Sequence, residues 1–372
     1  MKKIVILLCL LLLSFALVGC NEKEVSEGAV QDKPLLADVP DPIVVEPEVA
    51  WEWQYDSPQN HHLNGDILTQ FHSEFDTTQV LAFVMIKDGY IVDEYYKEGY
   101  DETSIFPLHS CSKSVTSALI GIAIDQGYIE GVDTPISVYF PQILQSDNEY
   151  FKQITIRHLL THTSGISSSD DAVWEQWRNS ENWVDFVLNR PVTTQPGTNF
   201  SYSTGGTHLL SAILQQATGK TAYDYGKAVL FSPLGMESVQ CGTDPQGISD
   251  GGNGFAMNVY DMAKLGQLYL NDGLWEGQQI ISTDWIEAST HLQFERSSGS
   301  ADYGYQWWVR TFGDQDYPAF FAQGHGGQYI FVAVSYTHLI GRNLWLSVKI
   351  VPKKKFFEID FCTSPSLRCG VG

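Results

Sequence analysis

The feature that most constrains the fold is how two hydrophobic periods are distributed along the chain. Strand-like runs lie near both ends, and apolar residues recur at helical spacing between them. Val80 to Ile86, the pair Asp88-Gly89 and Tyr90 to Tyr96 predict a β-hairpin, because Asp-Gly suits the left-handed backbone of a tight turn. After Pro107, residues Val115, Ala118, Leu119, Ile122 and Ala123 predict a helix from Ser110 to Gln126, closed by Gly127. Further helices are predicted at Ile156 to His162 behind a Thr155 cap, at Thr207 to Thr218, and at Asp261 to Leu270. Tyr305 to Arg310, Gln328 to Val334 and Leu344 to Val351 again read as strands. Strands at both ends with helices between them imply an α+β fold whose terminal segments share one antiparallel sheet.

A length of 372 residues suits one large domain or two interleaved subdomains, and a hydrophobic fraction of 43% can fill a sizeable core. The net charge of −22 leaves no basic footprint for nucleic acid and otherwise serves solubility. The six cysteines show no zinc-like pairing, and Cys111 and Cys241 read as buried thiols, with a disulfide involving Cys241, Cys362 or Cys369 as the alternative.

The first residues read as an export signal. Lys2 and Lys3 precede an apolar run, Ile4 to Leu13, too short to span a bilayer. Leu17-Val18-Gly19-Cys20 is similar to the lipobox of bacterial lipoproteins, which implies a signal peptide over 1–19 and lipidation of Cys20. Two acyl chains anchor firmly where one is marginal. The stretch 20–55 is acidic and proline-containing, a tether that cannot bury a core. The expected location is the outer face of a membrane, in the cell envelope.

Ser110-Cys111-Ser112-Lys113 is the only Ser-x-x-Lys in the chain. On a helix these positions share a face, so the amine reaches the hydroxyl. Serine attacks only when a base takes its proton, and lysine serves as that base only when its pKa is lowered. A helix start adds N–H groups for a developing oxyanion.

Around this motif the chain resembles a family. The segment from His109 to Leu119 is similar to the nucleophile helix of class C β-lactamases, family VIII esterases and 6-aminohexanoate-dimer hydrolases. Ile154 to Gly165 matches the family's conserved-looking segment between that helix and its second motif, and Phe200-Ser201-Tyr202-Ser203-Thr204 resembles the stretch carrying Tyr-x-Asn. Gly251-Gly252, Asp261 to Lys264 and Trp275 to Gly277 match most closely the 6-aminohexanoate branch. The resemblance runs from about residue 80 to 333. It implies the β-lactamase/DD-peptidase-like fold with an inserted helical subdomain, over 56–350. It also implies Ser110 as nucleophile, Lys113 as base and Tyr202 as proton shuttle, with no cofactor and no metal. His158 and His162 stand four residues apart but lack the glutamate of a zinc helix, and the family uses them structurally.

Two departures bear on substrate. Thr204 stands where relatives have Asn, keeping a hydroxyl and losing an amide. His325-Gly326-Gly327 stands where β-lactamases have Lys-Thr-Gly, and the lysine there helps hold a substrate carboxylate. Gly326 and Gly327 still permit close backbone approach, so Gln328 N–H is expected to complete an oxyanion hole with that of Ser110. Thr204, His325 and Gly327 are counted with Gln328 as substrate-side residues. Trp174, Trp177 and Trp183 are candidates for an apolar rim, Trp174 above all. The expected activity is acyl-enzyme hydrolysis of a small ester, amide or peptide by a monomer. The alternatives are a β-lactamase or D-alanyl-D-alanine carboxypeptidase, and a lipoprotein that binds cell-wall peptide or lactam without turnover. Residues 351–372 lack helical period and begin a lysine-rich tail, which reads as an atypical segment from a frameshift or chimeric junction.

Overall fold

A computed structural model describes residues 51–350, apart from 79, 298–300, 313–316 and 336–342. The expected signal peptide, Cys20, most of the tether and the tail 351–372 lie outside the described residues.

The chain begins with β1 (Gln54–Tyr55) and α1 (Gly65–Thr78), then the hairpin of β2 (Ala82–Lys87) and β3 (Tyr90–Tyr96). Asp88 and Gly89 take φ of 53° and 86°, the pair of left-handed residues that this turn demands. After β4 (Phe106–Pro107), a 3-10 turn at His109–Cys111 runs into α2 (Ser112–Asp125). The helical region follows with α3 (Ile156–Leu160), α4 (Trp174–Arg178), α5 (Trp183–Leu188), α6 (Thr204–Thr218) and α7 (Ala222–Gly226). Strands β5 (Gln240–Cys241) and β6 (Phe255–Met257) join β4 in a small sheet, and α8 (Val259–Leu270) returns to the main one. A ribbon of β7 (Leu274–Trp275) and β8 (Gln278–Gln279) precedes α9 (Thr283–Thr290). The last strands are β9 (Asp302–Tyr303), β10 (Trp308–Phe312), β11 (Tyr317–Gly324), β12 (Gln328–Ser335) and β13 (Asn343–Ile350).

The main sheet has the order β1-β3-β2-β13-β12-β11-β10-β9. Strand β13 lies antiparallel between β2 and β12, so strands from the first and last parts of the described residues share one sheet. This is the α+β arrangement expected. Strand β2 is apolar from Ala82 to Ile86 because both faces are covered. Phe83 and Met85 pack with Phe75 of α1, while Ala82, Val84 and Ile86 face the large core around α2. Helix α2 is buried from Ser112 to Ala123, a central rod rather than an amphipathic one. No helix among the described residues is long and apolar enough to cross a membrane.

Three expectations need correction. Residues 51–55, expected to belong to a tether, are part of the fold: Trp53 is 8% exposed, Trp51 packs against Trp53 and Trp275, and β1 pairs with β3. Aromatic rings carry this short segment into the fold despite the acidic run before it. Helix α6 starts at Thr204, three residues before the apolar period begins, because Ser203 Oγ accepts the N–H of Gly206 at 3.0 Å. The strand expected at Tyr305 to Arg310 begins only at Trp308. Gln306 has φ of 62°, outside any strand, and its side-chain amide donates to the carbonyls of Leu159 and Leu160 at 3.1 and 2.8 Å.

Candidate active site

The nucleophile turn is pinned from several sides. Leu108 N–H donates to Phe255 O at 2.9 Å, and Ser112 Oγ accepts from Phe255 N–H at 3.1 Å. The thiol of Cys111 donates to Gln328 O at 3.4 Å, which ties the turn to the start of β12. These contacts bring Ser110 to the edge of the sheet, at the head of a helix that is buried behind it.

Lys113 is 1% exposed and its amine has three oxygen neighbours: Ser110 Oγ at 3.1 Å, Thr204 Oγ1 at 3.0 Å and Gly252 O at 2.8 Å. Burial pulls its pKa down to about 8, with Asp170 and Asp250 opposing the shift. Gly252 allows the approach: a Cβ there would stand 2.7 Å from both the carbonyl oxygen and Cγ2 of Thr204. An amine of this pKa is a competent base near neutrality. Of its partners, the Gly252 carbonyl can only accept, so one N–H is committed there.

Tyr202 stands next to Ser110, and its ring centroid lies 4.9 Å from Lys113 Nζ. Burial pushes its hydroxyl well above the usual range, so it is a neutral phenol that can donate a proton. His162 packs against that ring at 4.4 Å and accepts Ser203 N–H at Nδ1. Burial, then Lys113, hold His162 far below its ordinary pKa, which keeps it neutral. His158 accepts Thr155 N–H at 3.1 Å and closes the start of α3. Each histidine therefore has a local structural job.

The structure thus brings together Ser110, Lys113, Tyr202 and Thr204. Thr204 is 4% exposed and turned toward Lys113 and Asp170, so it supports the base rather than facing substrate. Gln328 stands beside the nucleophile turn, where its carbonyl accepts the Cys111 thiol. His325 is exposed in the turn between β11 and β12, with Gly326 and Gly327 at φ of 98° and 100°. Its ring meets His109 edge-on at 6.0 Å. The tryptophans depart from expectation. Trp177 and Trp183 are core residues, and Trp174 packs on Trp177 with Arg178 beside it, because a cation–aromatic cluster rather than an open rim absorbs all three.

Sequence reasoning missed Asp170, the contact of the Gly252 carbonyl with Lys113 and the ion pair of Arg178 with Asp250 at 2.6 Å. Asp250 is one of the carboxylates that act on Lys113, and Arg178 offsets its charge. None of these residues stands at a telling spacing from Ser110. Asp170, just after Ser168 and Ser169, offered the one weak signal: a hydrogen-bonding cluster directly behind the Ile154 to Gly165 segment.

A serine hydroxyl, a buried amine of lowered pKa and a neutral phenol in mutual contact define an acyl-transfer centre of the Ser-x-x-Lys class. The chain belongs to the beta-lactamase family, whose sequence model matches residues 69–338. It is 22% identical over 266 residues to the 6-aminohexanoate-dimer hydrolase of Paenarthrobacter ureafaciens, covering 65% of this chain and 67% of that protein. It is 25% identical over 238 residues to penicillin-binding protein 4* of Bacillus subtilis, covering 59% of this chain and 50% of that one. The chain therefore spans between half and two thirds of these relatives. The octameric penicillin-binding protein homologue from Pyrococcus abyssi shares the fold with a TM-score of 0.62 at 20% identity, over 78% of this chain and 74% of its own.

Proposed function

We propose that this protein is a serine hydrolase that forms an acyl-enzyme on Ser110 from small esters or amides. The observation that carries this reading is the Lys113 amine, buried, lowered to about 8 and 3.1 Å from Ser110 Oγ. Ser110 Oγ attacks the carbonyl carbon as its proton passes to Lys113. The tetrahedral oxyanion is held by the N–H groups of Ser110 and Gln328. Tyr202 then gives its phenolic proton to the leaving group as Lys113 hands on the proton it took from Ser110, which restores the phenol and the neutral amine, and water repeats the sequence to free the acid. A fluorophosphonate probe is expected to label Ser110, and Ser110→Ala to lose both labelling and turnover. Labelling mapped by mass spectrometry to another serine would overturn the assignment.

Neutral substrates are favoured because an exposed His325 takes the place of a lysine clamp. A charged hydrogen bond to a carboxylate contributes about 1.5–3 kcal/mol, so its loss lowers lactam kcat/KM by about 10–150-fold. Burst kinetics on a nitrophenyl ester beside a chromogenic cephalosporin measure this directly, and a preference for the cephalosporin at pH 7.5 would refute it. Such a result would favour the second reading, a β-lactamase or carboxypeptidase, to which the similarity to penicillin-binding protein 4* points. The proposed lipid anchor at Cys20 rests on residues 17–20 of the sequence. Cys20→Ser is expected to release the protein from the detergent phase, and an unmodified mature N-terminus beyond Cys20 would disprove anchoring. We also propose that the protein acts as a monomer, which sedimentation tests.

A further inference from the structure

We propose that Asp170 is a positioning residue for the general base, acting through the Thr204 hydroxyl to fix where the Lys113 lone pair points. The inference rests on the reading of Ser110 and Lys113 as nucleophile and base. Thr204 Oγ1 lies 3.1 Å from Asp170 Oδ2 and 3.0 Å from Lys113 Nζ. A hydroxyl has one hydrogen to give, and a carboxylate can only accept. The hydrogen therefore goes to Asp170, and the Thr204 oxygen is left to accept from Lys113. Gly252 O, at 2.8 Å, accepts a second N–H. In the neutral amine both hydrogens are then committed, and the remaining lone pair faces Ser110 Oγ.

Without Asp170 the Thr204 hydroxyl is free to rotate and donate to Lys113, competing with Ser110 for the same lone pair. An asparagine at this position would instead turn its amide oxygen to Lys113, an atom that accepts and carries no hydrogen of its own. The carboxylate thus makes threonine workable where relatives use an amide. Asp170 is itself held by Thr204 N–H, at 3.1 and 3.2 Å to its two oxygens, and by Ser169 Oγ at 3.3 Å. Among the described residues no cation pairs with it. The other groups around Lys113 are Asp250, Cys111, His162 and Tyr202. None of them bonds to the Thr204 hydroxyl, and Asp250 is engaged by Arg178.

The test measures Ser110 acylation by a nitrophenyl ester against pH in the full chain, for wild type, Asp170→Asn, Asp170→Ala and Asp170→Ala/Thr204→Asn. Asp170→Ala is expected to lower the plateau kcat/KM by about 10–100-fold, the scale of one misdirected charge-assisted hydrogen bond. Adding Thr204→Asn is expected to return it to within about threefold, since the amide oxygen needs no director. Asp170→Asn, which keeps the shape, removes a negative charge that favours the protonated amine, so its acid limb moves to lower pH. A wild-type profile in both single variants overturns the proposal. So does a loss in Asp170→Ala that Thr204→Asn leaves unrepaired in a folded protein, which would mark Asp170 as a loop support only. Turnover that survives in Ser110→Ala would instead overturn the functional reading, and the two failures are thereby distinguished.

Discussion

Raising the pH from 7 to 9.5 should change rate and stability together, because both read the same buried amine. The Lys113 pKa falls from the ordinary 10.5 to about 8 in the folded protein. About a tenth of the amine is neutral at pH 7 and nearly all of it at pH 9.5, so kcat/KM on a neutral ester is expected to rise about tenfold with a midpoint near 8. The stability effect has the same sign. The unfolded chain holds the proton more tightly than the native one, so stability rises with pH between the folded and unfolded pKa values. Integrating the difference from pH 7 to 9.5 gives about 2 kcal/mol, undiscounted because the side chain is fully buried. Lys113→Met lacks this titration and supplies the reference. Urea unfolding of both proteins at the two pH values isolates the term from every other ionisation, while initial rates on a nitrophenyl ester give the limb. A flat kcat/KM with a stability gain nearer about 3 kcal/mol would show that the amine is already neutral at pH 7, and a constant stability difference that it keeps its proton throughout; either result would refute the account of its burial.

Gly252→Ala places a methyl 2.7 Å from the Thr204 carbonyl, so the segment must retreat from Lys113; kcat/KM is expected to fall by about 10–150-fold, the range for one hydrogen bond to a charged group. A rate within twofold of wild type would mean that the contact is dispensable. His208 and Asp244 form a fully buried pair at 2.9 Å. His208→Leu strands the carboxylate at a cost of about 3–5 kcal/mol, lowering Tm by about 10 °C while fluorophosphonate labelling at 20 °C persists. An unchanged melting curve would contradict this. Burial holds the Cys111 thiol far above its normal range and pushes Cys241 up to about 12. Neither is expected to react with iodoacetamide at pH 8 until the protein is unfolded, and peptide mapping of the alkylated sites decides the matter.

Much of this protein is written in short-range pattern. The hairpin at Asp88-Gly89 follows from the φ that glycine tolerates and aspartate accepts. Helix α2 with Lys113 in its first turn, and Ser110 in the 3-10 turn that leads into it, follow from an apolar run and a spacing of three residues, and the closing glycine takes φ of 78°. The segments around Tyr202 and Ile154 to Gly165 are legible because their meaning is carried by contiguous residues. What tertiary structure alone decided is the state of the lysine. Thr204, Asp170, Asp250 and Gly252 reach Lys113 from segments 57 to 139 residues away in the chain, and no local period encodes that convergence. Folding likewise decided the tryptophans: Trp177 and Trp183 look the same in sequence whether they rim a cleft or fill a core, and Arg178 with His208 drew them inward. A hydrogen bond's direction and a charge's solvation depend on neighbours brought together by the sheet and helices. A sequence names the groups that can react, and packing sets the protonation in which they do.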